Sequence, residues 1–385
     1  MKEVSVNSLT PQTYFNAPIY LDESYIILIP DIPITTELIN RLRTWGYRTV
    51  LSDGMAVTSP EDRSSTEGQN APAEITKSLE DEEQKTHAEA FFVEAVNRLE
   101  EAFAGFKARD ELRIATFTDL SKEIMAELRE NSRFLLSMED AISPGKTYIT
   151  THSVKTAFLG LAIADHMKLP PFKQIDIGTS ALLHEIGLLK IPESLYLTDR
   201  QLSQKERTAL SAHPVLGFRI LKTASFPIAV CQAVLDHNER IDGTGLPRRV
   251  AGEKISVYGK ILAVASSYNA AVSKRPYRPG IDGHSGLMDL LKDAGKRYDE
   301  KALSALLYTL SLYPIGTYIV MSNGSIGLVV KADPQDPRHP VIKLLIDENG
   351  NHYADQPVVR TRKGDDVSIL RSISKVELQK LVDGA

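Results

Sequence analysis

The spacing of large apolar residues changes repeatedly along the chain, and each change predicts a different element. Tyr25, Ile26, Ile27, Leu28 and Ile29 form an unbroken run that Pro30 stops, which predicts a strand. Thr35 and Thr36 open a helical spacing through Leu38, Ile39 and Leu42, and residues 47–51 read as a returning strand. These elements predict a small α+β module over 1–55. Residues 59–76 are rich in Ser, Glu, Pro and Gly, so a flexible linker is expected across 56–80. Over 81–140 long helices are expected. Phe92, Val96, Leu99, Phe103 and Phe106 are spaced 4, 3, 4 and 3, and Phe117, Leu120, Ile124 and Leu128 mark a second helical run. Such helices could form a hairpin, a dimer interface or a signalling stalk, or could pack their stripe on the neighbouring domain.

Residues 141–312 keep the helical period, with one stripe at Val154, Phe158, Leu161 and Ile163 and another at Ile177, Ala181, Leu182 and Leu183. Ser203 with Glu206 predicts a capping box ahead of His213. Beyond Pro314 the period becomes two. Residues 318–321, the Asn323-Gly324 turn and residues 326–330 predict a β-hairpin, and 341–346 a further strand, giving a small β-rich domain over 313–385. The fold class expected is therefore multidomain, with a central all-α bundle between an N-terminal α+β module and a C-terminal β domain.

Composition narrows the chemistry. With 45 basic and 50 acidic residues the formal charge is -5, which gives no global reason to bind duplex nucleic acid or an anionic membrane. The single cysteine, Cys231, excludes a disulfide framework and a thiolate metal site. No run approaches the ~18 apolar residues of a membrane-spanning helix, and the N-terminus lacks a signal-peptide layout, so a cytoplasmic protein without membrane insertion is expected. Of nine histidines, five fall between 152 and 237, and His152, His184, His213 and His237 stand where helices begin or end. A bundle can converge such imidazoles on one centre, and imidazole with carboxylate suits iron, manganese or zinc. His166, fourteen residues beyond His152, is expected to lie outside it.

In their order, several segments resemble the HD-GYP domain, a branch of the HD hydrolases whose members cleave cyclic di-GMP. They are Leu182-Leu183-His184-Glu185-Ile186-Gly187, then His213-Pro214 with Gly217, then His237-Asn238-Glu239-Arg240 with Asp242-Gly243-Thr244-Gly245-Leu246-Pro247, and Arg275-Pro276-Tyr277-Arg278. The resemblance covers residues 145–310 and implies an HD-type helical bundle. It implies a divalent-metal centre, of iron or manganese, with His152, His184, Glu185, His213 and His237 as ligands and Asn238 as a weak one. It also implies that Arg275 and Arg278 grip substrate phosphates. The departures are specific. Glu185 stands in place of the motif aspartate, Leu188 of a lysine, Asn238 of a second histidine, Ser266 of a later metal-binding aspartate, and Leu246 of the motif tyrosine. Tyr148 stands where some members carry a further metal-binding glutamate.

Each implied metal site thus loses one ligand, and one ion or none is an expected outcome. Three functional readings remain: a degenerate cyclic di-GMP signalling protein that binds nucleotide or a partner with weak or no hydrolysis, an active phosphodiesterase with an unusual ligand set, and a structural interaction module. A homodimer and a protein partner are compatible with the first and third. Asp236, Glu239 or Asp242 could supply a replacement carboxylate.

Overall fold

The computed structural model describes residues 2–15, 19–21, 26–28, 33–44, 47–57, 77–137, 148–198, 200–273, 280–332, 336–353, 355–362, 365–373 and 377–379. The chain divides into two units, residues 1–83 with 168–176, and residues 84–167 with 177–385. Among the described residues no helix is long and apolar enough to cross a membrane.

The first unit contains β1 (Lys2–Ser5), β2 (Tyr14–Phe15), β3 (Ile19–Tyr20), β4 (Ile26–Leu28), α1 (Thr36–Thr44), β5 (Thr49–Ser52) and β6 (Ala56–Val57). Its antiparallel sheet has the order β1-β5-β3-β4, and β2 pairs separately with β6. Thr35 Oγ1 accepts from the Leu38 backbone N–H and so starts α1, as its sequence predicts. Leu38 and Leu42 of α1 pack with Val6, Ile19, Ile27 and Phe172 in one core. Arg41, turned inward on the same helix, pairs with buried Asp176 at 2.5 Å. Of the strand expected at 25–29, residues 26–28 are extended as β4 and residues 25 and 29 lie outside the described residues, while the return strand lies at Thr49–Ser52. The linker expected over 56–80 is bounded by β6 and by a helix that begins at Lys77, with residues 58–76 outside the described residues.

Helices dominate the described residues from Lys77 to Leu310, most of them in the second unit. In order they are α2 (Lys77–Arg109), α3 (Ile114–Ser137), α4 (Tyr148–His166), α5 (Pro171–Leu183), α6 (Glu193–Tyr196), α7 (Gln204–Leu210), α8 (His213–Thr223), α9 (Ile228–Asp236), α10 (Val257–Val272), α11 (Gly283–Lys292) and α12 (Glu300–Leu310). α4 is apolar on nearly every side because it is surrounded, packing on α3, α10 and α12. The seam of α2 is buried in the same way: Phe92 is 0% and Phe106 3% exposed, and the Phe92 ring meets Phe158 of α4 at 5.9 Å. That seam is therefore a stripe packed inside the chain, and it is not available as a dimer interface. Ser203 and Glu206 form the expected capping box at the start of α7.

The C-terminal strands are β7 (Tyr318–Met321), β8 (Ile326–Lys331), β9 (Val341–Ile346), β10 (Val358–Arg360) and β11 (Ile369–Ile373), in an antiparallel sheet ordered β10-β9-β8-β7-β11. Gly324, at φ 91°, occupies the left-handed position of the β7–β8 turn, where Asn323 Oδ1 accepts from the Ser325 N–H. Ile319, Met321, Val329 and Ile342 form one small core of the sheet, while Ile326, Ile346 and Ile373 form another.

Candidate metal centre

The helix ends, rather than the helix faces, build this site. His184 follows the last residue of α5, His213 opens α8 just beyond α7, and His237 follows the last residue of α9. Their Nδ1 atoms donate to backbone carbonyls three residues back: His184 to Ala181 at 2.7 Å, His213 to Leu210 at 2.8 Å and His237 to Val234 at 2.7 Å. Each accepting carbonyl belongs to the last turn of a helix, where the helical ladder offers it no N–H. The proton on Nδ1 leaves Nε2 as a lone pair. All three lone pairs point inward.

They meet one another and one carboxylate. His213 Nε2 lies 3.2 Å from His237 Nε2 and 3.3 Å from Glu185 Oε2, and His184 Nε2 lies 3.8 Å from Glu185 Oε1. The His184 and His237 rings are 5.1 Å apart, edge to face. His184 Nε2 and Glu185 Oε2 are buried with no hydrogen-bond partner among the described residues. Asn238 turns its amide nitrogen to both His213 Nε2, at 3.2 Å, and His237 Nε2, at 3.0 Å. A cluster of buried acceptors with so few donors is electrostatically incomplete, and a cation completes it. The donor set therefore fits a metal. Two overlapping groups have ligand atoms within 4.8 Å of one another, His152 with His184 and Glu185, and Glu185 with His213 and His237.

His152, in the second turn of α4, is set differently. Its Nε2 lies 3.2 Å from Ser266 Oγ and its Nδ1 3.1 Å from the amide nitrogen of Asn269, while the Tyr148 ring stacks on it at 5.4 Å. Asn269 was not apparent from sequence as a site residue, although it lies one turn beyond Ser266 on α10. His166 stacks on Tyr308 instead, outside the centre as expected. Arg275 and Arg278 lie outside the described residues.

The replacement carboxylates are engaged elsewhere. Asp236 accepts from Gln232 Nε2 at 2.9 Å, from the Ser256 N–H at 2.9 Å and from the Arg248 guanidinium. Glu239 accepts from the backbone N–H groups of Arg248 and Val250, and Asp242 from that of Thr244. These three fix the loop between α9 and α10. Leu188, in the 3-10 turn at 186–190, is buried and apolar. That turn presses on α8 at Gly187, where an added Cβ would stand 2.0 Å from the His213 carbonyl oxygen. Gly187→Ala is accordingly expected to cost ~1–3 kcal/mol by overpacking and to shift Glu185 away from His213; equal urea midpoints with unchanged cation affinity would refute this.

Burial holds the His184 and His237 imidazoles neutral. It lowers His184 to about 4, helped by the nearby His213 charge against the pull of the Ala181 carbonyl. Burial, followed by His184 and His213, lowers His237 to about 3, with Glu185 and the Val234 carbonyl opposing. Because both folded values lie below the ordinary 6.5, the unfolded chain binds more protons between about pH 6.5 and 4. Stability is thus complete above pH 6.5 and falls as the pH drops, by ~2 kcal/mol per histidine at pH ~5. Urea midpoints of the cation-free protein between pH 7 and 5 measure this, and a flat profile would contradict it.

Comparison with known proteins places this geometry. A family model described as the HD domain matches residues 136–302, and one described as a KOW domain associated with HD domain matches residues 318–381. Cyclic di-GMP phosphodiesterase PdeB of Borreliella burgdorferi is 30% identical over 203 residues, 53% of this chain and 53% of its own. A cyclic di-GMP phosphodiesterase of Pseudomonas aeruginosa is 27% identical over 282 residues, 72% of this chain and 67% of its own. Another, of Thermotoga maritima, is 33% identical over 158 residues, 40% of this chain and 43% of its own. The chain thus spans about half the length of the Borreliella protein. The histidines converging from the ends of α5, α7 and α9 all lie inside residues 136–302, the segment that matches the HD domain model, in keeping with the resemblance of this segment to HD-GYP domains.

Proposed function

We propose that this chain is a cyclic dinucleotide signalling protein that holds a divalent cation at Glu185, His213 and His237, binds cyclic di-GMP, and hydrolyses it slowly. One observation carries the reading: buried acceptors converge, yet among the described residues Glu185 is the single carboxylate in either candidate group. Two divalent ions held close together require more anionic charge than one carboxylate supplies. Iron and manganese both suit the imidazole–carboxylate set. When bound, such an ion supplies positive charge where a phosphodiester becomes more negative during hydrolysis.

The chain's own residues set the limits on hydrolysis. The His184, His213 and His237 lone pairs are fixed in place by carbonyls, so the ligands are oriented before anything binds. Asn238 presents N–H groups to His213 and His237, and must turn its amide before its oxygen faces a cation. Leu188 offers no charge to a phosphate, and Ser266 offers a hydroxyl in place of an anion. The named relatives, cyclic di-GMP phosphodiesterases, support this substrate class.

The test is protein reconstituted with manganese or ferrous iron, incubated with cyclic di-GMP and analysed for linear dinucleotide and GMP. Slow product formation that His184→Ala removes is expected. Rapid turnover would favour the active phosphodiesterase with an unusual ligand set. Absence of both cation and nucleotide binding would leave an interaction module.

A further inference from the structure

We infer that Asn269 holds His152 in the tautomer protonated on Nε2, so that His152 donates a hydrogen bond to Ser266 and does not ligate a metal, leaving a centre for one cation. The last clause rests on the reading that Glu185, His213 and His237 hold that cation.

The Asn269 side chain, which is 1% exposed, sets the tautomer. Its amide nitrogen lies 2.9 Å from the His152 backbone carbonyl oxygen, 3.1 Å from Thr156 Oγ1 and 3.1 Å from His152 Nδ1. A carbonyl oxygen only accepts, so the edge of the carboxamide turned to α4 is its NH2. The opposite edge agrees, since Asn269 Oδ1 accepts from Ser273 Oγ at 2.8 Å. An amide nitrogen cannot accept a hydrogen bond, so the His152 Nδ1 facing it carries no proton. A neutral imidazole has one N–H, which is then on Nε2, 3.2 Å from Ser266 Oγ.

This is the reverse of His184, His213 and His237, whose Nδ1 atoms face carbonyls. A metal binds a lone pair and never an N–H. Proximity therefore places His152 in a candidate group while its hydrogen bonding withdraws it. An aspartate at 266 would not restore the ligand by itself, because it would accept the same N–H. Restoring it requires an acceptor opposite Nδ1 as well. Asn269 is thus a positioning residue: it acts on the centre through His152.

Long-range 15N–1H correlation spectra of histidine-labelled, cation-free protein read the tautomers directly. His152 is expected to carry its proton on Nε2, and the other three on Nδ1; a proton on Nδ1 of His152 overturns the inference without reliance on any variant. Titration with manganese supplies the second readout, with about one equivalent bound by the wild type and by His152→Ala. Ser266→Asp alone is expected to keep one equivalent, whereas Ser266→Asp with Asn269→Asp takes about two, since the new carboxylate accepts Nδ1–H and frees Nε2. Loss of binding in His152→Ala, or two equivalents in the wild type, overturns the inference. Failure of the wild type to bind manganese would overturn the cation reading and the one-cation statement, and the spectra would still decide the tautomer.

Discussion

Glu185→Gln is expected to lower divalent-cation affinity by at least ~100-fold while making the cation-free protein more stable. The two effects share one cause. Glu185 is the carboxylate common to both candidate groups, and its Oε2 is buried beside acceptor atoms without a hydrogen bond. A glutamine of nearly the same shape removes the anion, so a cation loses the charged ligand that both groups share. The same amide brings an N–H to His213 Nε2, 3.3 Å from the present oxygen, or to His184 Nε2, and one satisfied buried acceptor stabilises by ~1 kcal/mol. Manganese titration and urea midpoints in chelator at pH 7 measure the pair of effects. A variant that binds as tightly as the wild type, or that is less stable without a cation, would count against the centre.

Asn238→His is expected to raise both cation affinity and cyclic di-GMP turnover by ~10–100-fold. At 3.0 Å and 3.2 Å from two imidazole nitrogens, the Asn238 amide stands against the position a cation takes, and it blocks with N–H groups. An imidazole there adds a stronger ligand and removes those donors. Turnover of the wild type is expected to be low because ligand and charge are both missing: Asn238 and Ser266 stand at ligand positions of the HD-GYP pattern and Leu188 at a cation's position. Two such losses at ~100-fold each would together cost ~10⁴-fold if independent. Product analysis of both proteins under equal cation loading provides the comparison. No gain in affinity for Asn238→His would show that residue 238 does not face the ion.

Much of the site was legible because histidines at helix ends stand out against an apolar background. His184 after Leu182-Leu183 and His213 before Pro214 announce element boundaries as well as candidate ligands. The C-terminal hairpin was legible for a similar reason, since Asn323-Gly324 between alternating runs allows few other conformations. β1 was not, because Lys2–Ser5 is a largely exposed edge strand without a large apolar alternation. Nor could sequence separate the roles of the carboxylates. Asp236 and Glu239 lie beside His237 in the chain, but Ser256 and Val250, from farther along it, supply the N–H groups that engage them. Asn269 was invisible for the same reason: its task is defined by α4, more than a hundred residues earlier.

The attachment of three imidazoles to the ends of α5, α7 and α9 has a consequence for how such a protein can change over generations. Each ring is seated by its own helix, so its seat survives when a neighbouring ligand is altered. The positions around the rings, such as Ser266 and Asn238, can therefore vary one at a time without unseating the imidazoles that remain. The number of cations such a bundle holds and the way it folds are then set by different residues, and one can change over generations while the other stays.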